Sequence, residues 1–97
     1  MTRVTALALL GLTTQEESYI DLRLRLADGL RKRRISRKFT QAALAKAVRS
    51  SQSRVAKMEA GDPTVTLDLL IRSLLELGVS RSDLAKIISS RRTVIPG

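Results

Sequence analysis

Residues 41–61 read QAALAKAVRSSQSRVAKMEAG and predict two short helices joined by a tight turn. Apolar residues recur at helical spacing in both halves, which indicates one buried face on each helix. The residues expected on these buried faces are Leu44, Ala45, Val48, Val55 and Met58. Ala45 is small, as a steep crossing of two helices requires. The other face of the second helix carries Gln52, Ser53, Arg54, Ala56 and Lys57. Such short, polar or cationic side chains suit contacts to base edges and phosphates.

Three further helices are predicted around this segment. A first helix is expected from Gln15 to Ile35, a fourth from Leu67 to Leu77, and a fifth after the capping box Ser80–Asp83. The expected N-caps of the second, third and fourth helices are Thr40, Ser51 and Thr66, respectively. The apolar residues expected to pack inward are Ile20, Leu24, Ala27, Leu30, Ile35 and Phe39 before the segment, and Leu67, Leu70, Ile71, Leu74 and Leu75 after it. The fifth helix carries Leu84, Ile87 and Ile88.

These elements predict an all-α fold, a five-helix bundle with short connections. The chain divides into an N-terminal apolar arm at 1–14, a helical domain at 15–90 and a flexible tail at 91–97. We expect the arm to pack either on its own domain or on a second copy of the chain. The apolar run in the arm is too short to span a bilayer, and no clean cleavage pattern for a signal peptide follows it.

The charge is concentrated in one stretch. The 97 residues have a net charge of +9, and residues 31–57 hold ten basic residues and no acidic one. This distribution favours a nucleic acid as the partner. The chain has no Cys and no His, which excludes a disulfide framework, a thiolate nucleophile, an imidazole base and an ordinary zinc site. One Phe, one Tyr and no Trp give no stacking platform for single strands. We therefore expect no catalytic residues, no metal and no cofactor.

The segment Gln41–Gly61 resembles, without gaps, the helix-turn-helix of the phage repressor/Cro (XRE) family. The resemblance extends to Phe39-Thr40 before it and to Leu77-Gly78-Val79-Ser80 after it, and covers about residues 24–88. It implies a lambda-repressor-like DNA-binding bundle. Two positions depart from the family pattern. Arg49 stands where the turn usually has Gly, which implies a left-handed backbone or an altered turn. Ala43 stands where the family has an acid that would complete the capping box of Thr40.

The resemblance also implies the residues of a DNA-binding site. In this family the third helix enters the major groove with its N-terminal residues over the bases. The base-contacting candidates are Gln52, Ser53 and Lys57. The phosphate-contacting candidates are Gln41, Arg37, Lys38, Arg49, Ser51 and Arg54. Gln52 and Ser51 have an alternative role as caps of their own helix, and Arg54 and Lys57 could be ordinary solvated residues. Glu59 is expected to be structural, paired with a basic residue of the domain.

The favoured function is a sequence-specific regulator that binds double-stranded DNA, a cytoplasmic repressor acting as a homodimer on a two-fold symmetric operator. The alternative is an antitoxin, which binds a small toxin and autoregulates its operon with the same motif. Membrane binding through residues 31–38 is disfavoured because Ile35 and Phe39 are expected in the core. An enzyme is the weakest hypothesis, since the acids are scattered and have no partner base.

Overall fold

The computed structural model describes residues 14–89, which form five α-helices and no strand in that range. The helices are α1 (Thr14–Ser36), α2 (Gln41–Ala47), α3 (Gln52–Glu59), α4 (Leu67–Glu76) and α5 (Arg81–Ser89). The predicted all-α, five-helix bundle is confirmed, and each predicted boundary lies within about one residue of the observed one. The predicted apolar arm, apart from Thr14, and the predicted tail lie outside the described residues.

Short polar side chains cap the N-termini of the helices at the predicted positions. The hydroxyl of Thr40 accepts from the N–H of Ala43 at 3.0 Å, and that of Thr66 accepts from the N–H of Leu69 at 3.2 Å. Ser80 and Asp83 form a reciprocal capping box, with bonds of 3.0 and 3.2 Å. Hydrogen bonds from the backbone and side chain of Ser80 hold the pKa of Asp83 below its usual value.

Helix α1 is the centre of the bundle, because α3, α4 and α5 all pack against it, while α2 packs on α3. The side chains that form the core are Leu26, Leu30, Leu44, Ala45, Val48, Val55, Met58, Val65, Leu70, Leu74, Leu77 and Val79. Two polar residues of the described range, Ser73 and Arg23, are buried as well, and the Ser73 hydroxyl donates to the Leu69 carbonyl at 2.8 Å. All five apolar residues predicted to be buried in the segment 41–61 are buried.

The first four helices end in the same way. In each, two backbone bonds close the last turn in the pattern of a Schellman motif, as in Ser50 N–H to Ala45 at 2.8 Å and Arg49 N–H to Lys46 at 3.2 Å. The residue in the left-handed conformation is Gly61 after α3 and Gly78 after α4. After α1 and α2 it is a cation, Lys38 at φ 60° and Arg49 at φ 56°. The turn before α3 therefore keeps the left-handed conformation that the family usually gives to glycine.

Three apolar residues were predicted to pack inward and are exposed instead, Ile20, Ile35 and Leu75, and Ile88 of α5 is exposed as well. In α1 the inward position after Leu30 is Arg34, four residues on, so Ile35 lies about 100° further round and is 51% exposed. Leu75 follows the buried Leu74 in the same way. Ile20 precedes the part of α1 against which the other described helices pack, and Ile88 lies next to the half-buried Ile87.

The exposure of Ile35 removes one premise of the argument against a membrane-binding face. Phe39 does pack against the core, so Ile35 is a single exposed apolar side chain among cations and not an apolar face. Within the described range 14–89, no helix has the length and apolar character needed to cross a membrane.

A buried charge that the sequence analysis missed fixes α1 to the loop between α3 and α4. Arg23 is 4% exposed, and its guanidinium donates to the backbone carbonyls of Asp62, at 3.2 Å, and Val65. It also donates to the Tyr19 hydroxyl at 2.7 Å. These bonds join residues about forty positions apart, so Arg23 sets how the loop after α3 lies on α1.

Candidate nucleic-acid interface

The N-terminal turn of α3 is exposed and held by its own cap. The Ser51 hydroxyl accepts from the N–H of Arg54 at 3.1 Å, which confirms the capping role of Ser51. Gln52, the first residue of the helix, and Ser53 are exposed beside it. Because Ser51 caps the helix, the side chain of Gln52 is not needed for that purpose and extends from the surface.

One shallow concavity of about 330 Å³ collects part of the predicted site. It is lined by Ser51, Ser53, Arg54, Lys57 and Thr64. Its two cations, Arg54 and Lys57, offer hydrogen-bond donors to an anion or to a base edge, and the three hydroxyls complete a polar surface. The structure thus brings together four of the predicted residues, and it adds Thr64, which the sequence analysis did not select.

An acid lies at the edge of this concavity. Asp62 accepts from the hydroxyl of Thr64 at 2.6 Å and from its N–H at 2.8 Å. These bonds to Thr64, with a smaller contribution from the charges of Lys57 and Arg23, hold the pKa of Asp62 below its usual value. The carboxylate is therefore ionised at neutral pH, and it holds Thr64 in place at the end of the exposed surface.

Helix α3 is anchored at its other end by a buried ion pair. The Glu59 carboxylate, 5% exposed, accepts from two nitrogens of the Arg34 guanidinium, at 2.5 and 3.0 Å. The hydrogen bond to Glu59 raises the pKa of Arg34 against the opposing effect of burial. Arg34 also donates to the Phe39 carbonyl at 2.8 Å. The predicted structural role of Glu59, pairing with a basic residue of the domain, is confirmed.

The same carboxylate also holds the start of α2. The side-chain amide of Gln41 donates to Glu59 at 3.1 Å. Glu59 thus connects α1, the first residue of α2 and the last residue of α3. The side-chain nitrogen of Gln41 is bonded to Glu59 inside the protein. The group of Gln41 that remains for the predicted phosphate contact is therefore its backbone N–H.

The remaining predicted phosphate contacts are dispersed. Lys38 and Arg49 are exposed in the two turns that precede α2 and α3. Arg37 lies elsewhere: a Cβ built on Gly78 would be 3.4 Å from an Arg37 guanidinium nitrogen, so this side chain lies beside the turn between α4 and α5. Arg37 is accordingly not brought together with the residues of α3.

The comparison with known proteins identifies the motif. A family model described as helix-turn-helix matches residues 30–84, more than half of the chain. Neither a curated protein nor a solved structure matches the chain. The matched range contains the capped α3, its turn, and the Arg34–Glu59 pair. The chain therefore belongs to the helix-turn-helix family of the phage repressor/Cro type and is a DNA-binding regulator of transcription.

Proposed function

We propose that the chain is a repressor that binds a two-fold symmetric operator as a homodimer, with α3 in the major groove. Gln52, Ser53 and Lys57 contact base edges. The phosphate contacts are Ser51, Arg54, Arg37, Lys38, Arg49 and the backbone N–H of Gln41. Dimerisation supplies the specificity that one short helix lacks, because each α3 reaches only a few base pairs. Repression needs no further surface, since occupancy of the operator excludes polymerase.

The observation that carries this proposal is the exposed first turn of α3 on a rigid support. Its N-cap leaves the side chain of Gln52 free of a capping role, and the Arg34–Glu59 pair fixes its other end. An amide can bond adenine at N6 and N7 together, and an ammonium can donate to guanine. The surrounding stretch 31–57 has ten basic residues and no acidic one, so its positive charge is complementary to the negative charge of the DNA backbone.

Two substitutions on α3 separate base contact from phosphate contact. The preferred duplex is first identified by selecting the parent chain on a library of random duplexes. Gln52→Ala is then expected to reduce the preference for one base in each half-site, by about 1–3 kcal/mol of binding free energy. Arg54→Ala is the matched control two residues away. It is expected to weaken all duplexes alike and to reduce the salt dependence by about 0.9 per lost contact. Fluorescence anisotropy on preferred and substituted duplexes measures both effects.

The assignment of Gln52 is contradicted if its alanine variant keeps the base preference and weakens every duplex equally. Circular dichroism checks that both variants retain the helical content of the parent. Ala at position 52 leaves the cap untouched, since the Ser51 hydroxyl bonds the N–H of Arg54.

Arg49→Gly is expected to stabilise the fold and weaken binding to DNA. The left-handed φ of 56° costs a non-glycine residue about 1 kcal/mol, and part of that gain is offset by the larger entropy of glycine in the unfolded chain. A net rise of about 0.5 kcal/mol in the unfolding free energy should appear in urea denaturation, with a loss of affinity on every duplex. Lys38→Gly is the companion variant, with the same conformation at the end of α1. Unchanged affinity in the Arg49 variant would remove this residue from the interface.

The alternative function is an antitoxin that uses the same motif to control its own operon. Its expected toxin-binding elements, the apolar arm or the tail after Ser90, lie outside the described residues. Both proposals include sequence-specific binding of DNA, so a selected motif is expected for either one. They differ in the partner: a small toxin encoded beside this chain that forms a stable complex with it would favour the antitoxin, and its absence would favour the repressor.

A further inference from the structure

The first two turns of α1 form an apolar groove that no other described helix covers. Tyr19 is 48% exposed and Ile20 is 42% exposed. Together with Gln15 and Glu16 they line a surface groove of about 420 Å³. The neighbouring residue Arg23 bonds the Tyr19 hydroxyl at 2.7 Å, which fixes the ring at the edge of this groove. The Tyr19 side chain therefore has a fixed partner where it lines the groove.

The segment that enters α1 is itself apolar. Residues 1–12 contain eight apolar residues and a single charge, Arg3. The helix that follows them begins at Thr14, next to Gln15, which lines the groove. An apolar segment and an apolar groove therefore lie next to each other in the chain.

Area distinguishes a second copy from the chain's own segment as the occupant. Tyr19 and Ile20 together expose roughly 200 Å², which covers few of eight apolar side chains within one chain. A stable dimer buries about 800 Å² on each partner. Two exchanged segments would bring the contact nearer to that area, since each copy would add the eight apolar side chains of its own residues 1–12 to the groove of the other.

Charge favours the same arrangement. Residues 1–30 have three basic and four acidic side chains, whereas residues 31–57 have ten basic ones. Two copies that meet through the first turns of α1 bring their nearly neutral parts together. Their basic surfaces then remain available to DNA and do not oppose each other at the contact.

We propose that the groove at Tyr19 and Ile20 takes residues 1–12 of a second copy, and that this exchange forms the dimer. This inference rests on the dimer of the proposed function, and it specifies the surface through which the two copies meet. The last two helices, with the exposed Leu75 and Ile88, are then outside the interface.

The first test compares two exposed apolar residues by sedimentation equilibrium of the full chain. Ile20→Lys is expected to raise the dimer dissociation constant about tenfold or more, because a charge replaces a buried apolar side chain. Leu75→Lys is the matched control on α4 and is expected to leave it unchanged. The reverse pattern, in which only the Leu75 variant dissociates, would assign the interface to α4 and overturn the proposal.

The second test separates exchange between copies from packing within one chain. A nitroxide is attached at Ser18→Cys, an exposed position beside the groove in a chain without cysteine. This spin-labelled protein, which carries no ¹⁵N, is mixed with ¹⁵N-enriched protein that carries no nitroxide. We expect the amide signals of residues 1–12 in the ¹⁵N copy to broaden. A nitroxide at Ser82→Cys on α5 should have no such effect.

The outcomes distinguish the two proposals. Broadening that appears only when label and isotope share one chain overturns the exchange but leaves a dimer intact. If Ile20→Lys leaves the dimer dissociation constant unchanged and the nitroxide at Ser18→Cys broadens no signal of residues 1–12, the interface is overturned but the dimer is not. A parent chain that stays monomeric, both free and on its selected duplex, overturns this inference and the dimer of the proposed function together.

Discussion

Replacement of Glu59 by Gln is expected to lower the free energy of unfolding by about 3 kcal/mol. The Glu59 carboxylate is 5% exposed and takes three hydrogen bonds, two from Arg34 and one from Gln41. The Arg34 side chain is itself only 13% exposed, so loss of the negative charge leaves a cation in the interior without its counterion. Urea denaturation followed by circular dichroism measures the change.

The control is Glu76→Gln, on an exposed acid at the end of α4, which should change stability by less than about 0.5 kcal/mol. The double variant Arg34→Met with Glu59→Met tests the cause. If the penalty of the single variant comes from an unpaired charge, removal of both charges should recover part of the loss. Equal effects of Glu59→Gln and Glu76→Gln would show that the ion pair does not hold α3.

Replacement of Arg23 by Met is expected to cost about 2 kcal/mol, the second largest effect. Its guanidinium donates to the carbonyls of Asp62 and Val65, and a thioether leaves both without that partner. The loss is moderated because the Arg23 Nε has no hydrogen-bond partner, and its desolvation cost disappears with the substitution. Denaturation in urea gives the stability, and amide hydrogen exchange at Val65 reports opening of the loop after α3.

Arg25→Met is the matched control for Arg23, two residues further along α1. Arg25 pairs with Asp21 at 2.6 Å within the same helix, and the side chain is 22% exposed, so its removal should cost less than about 1 kcal/mol. If the two variants lose the same stability, the bonds of Arg23 to the loop do not contribute as proposed.

The features that the sequence predicted well are local ones. Thr40, Thr66 and the pair Ser80–Asp83 cap helices by bonding backbone groups three residues away, so a short stretch of sequence contains the whole interaction. The buried faces of α2 and α3 are equally clear, because the larger apolar residues, Leu44 and Val48 and then Val55 and Met58, recur at helical spacing.

The errors arose where neighbouring positions are chemically alike or where partners are distant in sequence. Leu74 and Leu75 are both apolar, and only the packing of α4 on α1 decides which of them is buried. Arg23 has the appearance of a surface residue, because its carbonyl partners lie about forty positions away. Lys38 adopts a left-handed conformation without the glycine that would predict it.

The candidate site shows the same division. The family resemblance indicated Ser51, Ser53, Arg54 and Lys57, and these four do line one surface. It gave no sign of Thr64, which reaches that surface through its bonds to Asp62. It also grouped Arg37 with them, although the Arg37 side chain lies beside Gly78. Both differences depend on how the loops lie on the bundle.

Selection of the unmodified chain on a random-duplex library tests the central claim most directly. We predict a two-fold symmetric motif with half-site centres about 34 Å apart, and an affinity that falls with salt at about −0.9 per phosphate neutralised. Such a motif would come from a dimer that reads DNA through two copies of α3. Binding that is sensitive to salt but selects no motif would contradict sequence-specific regulation by this chain alone.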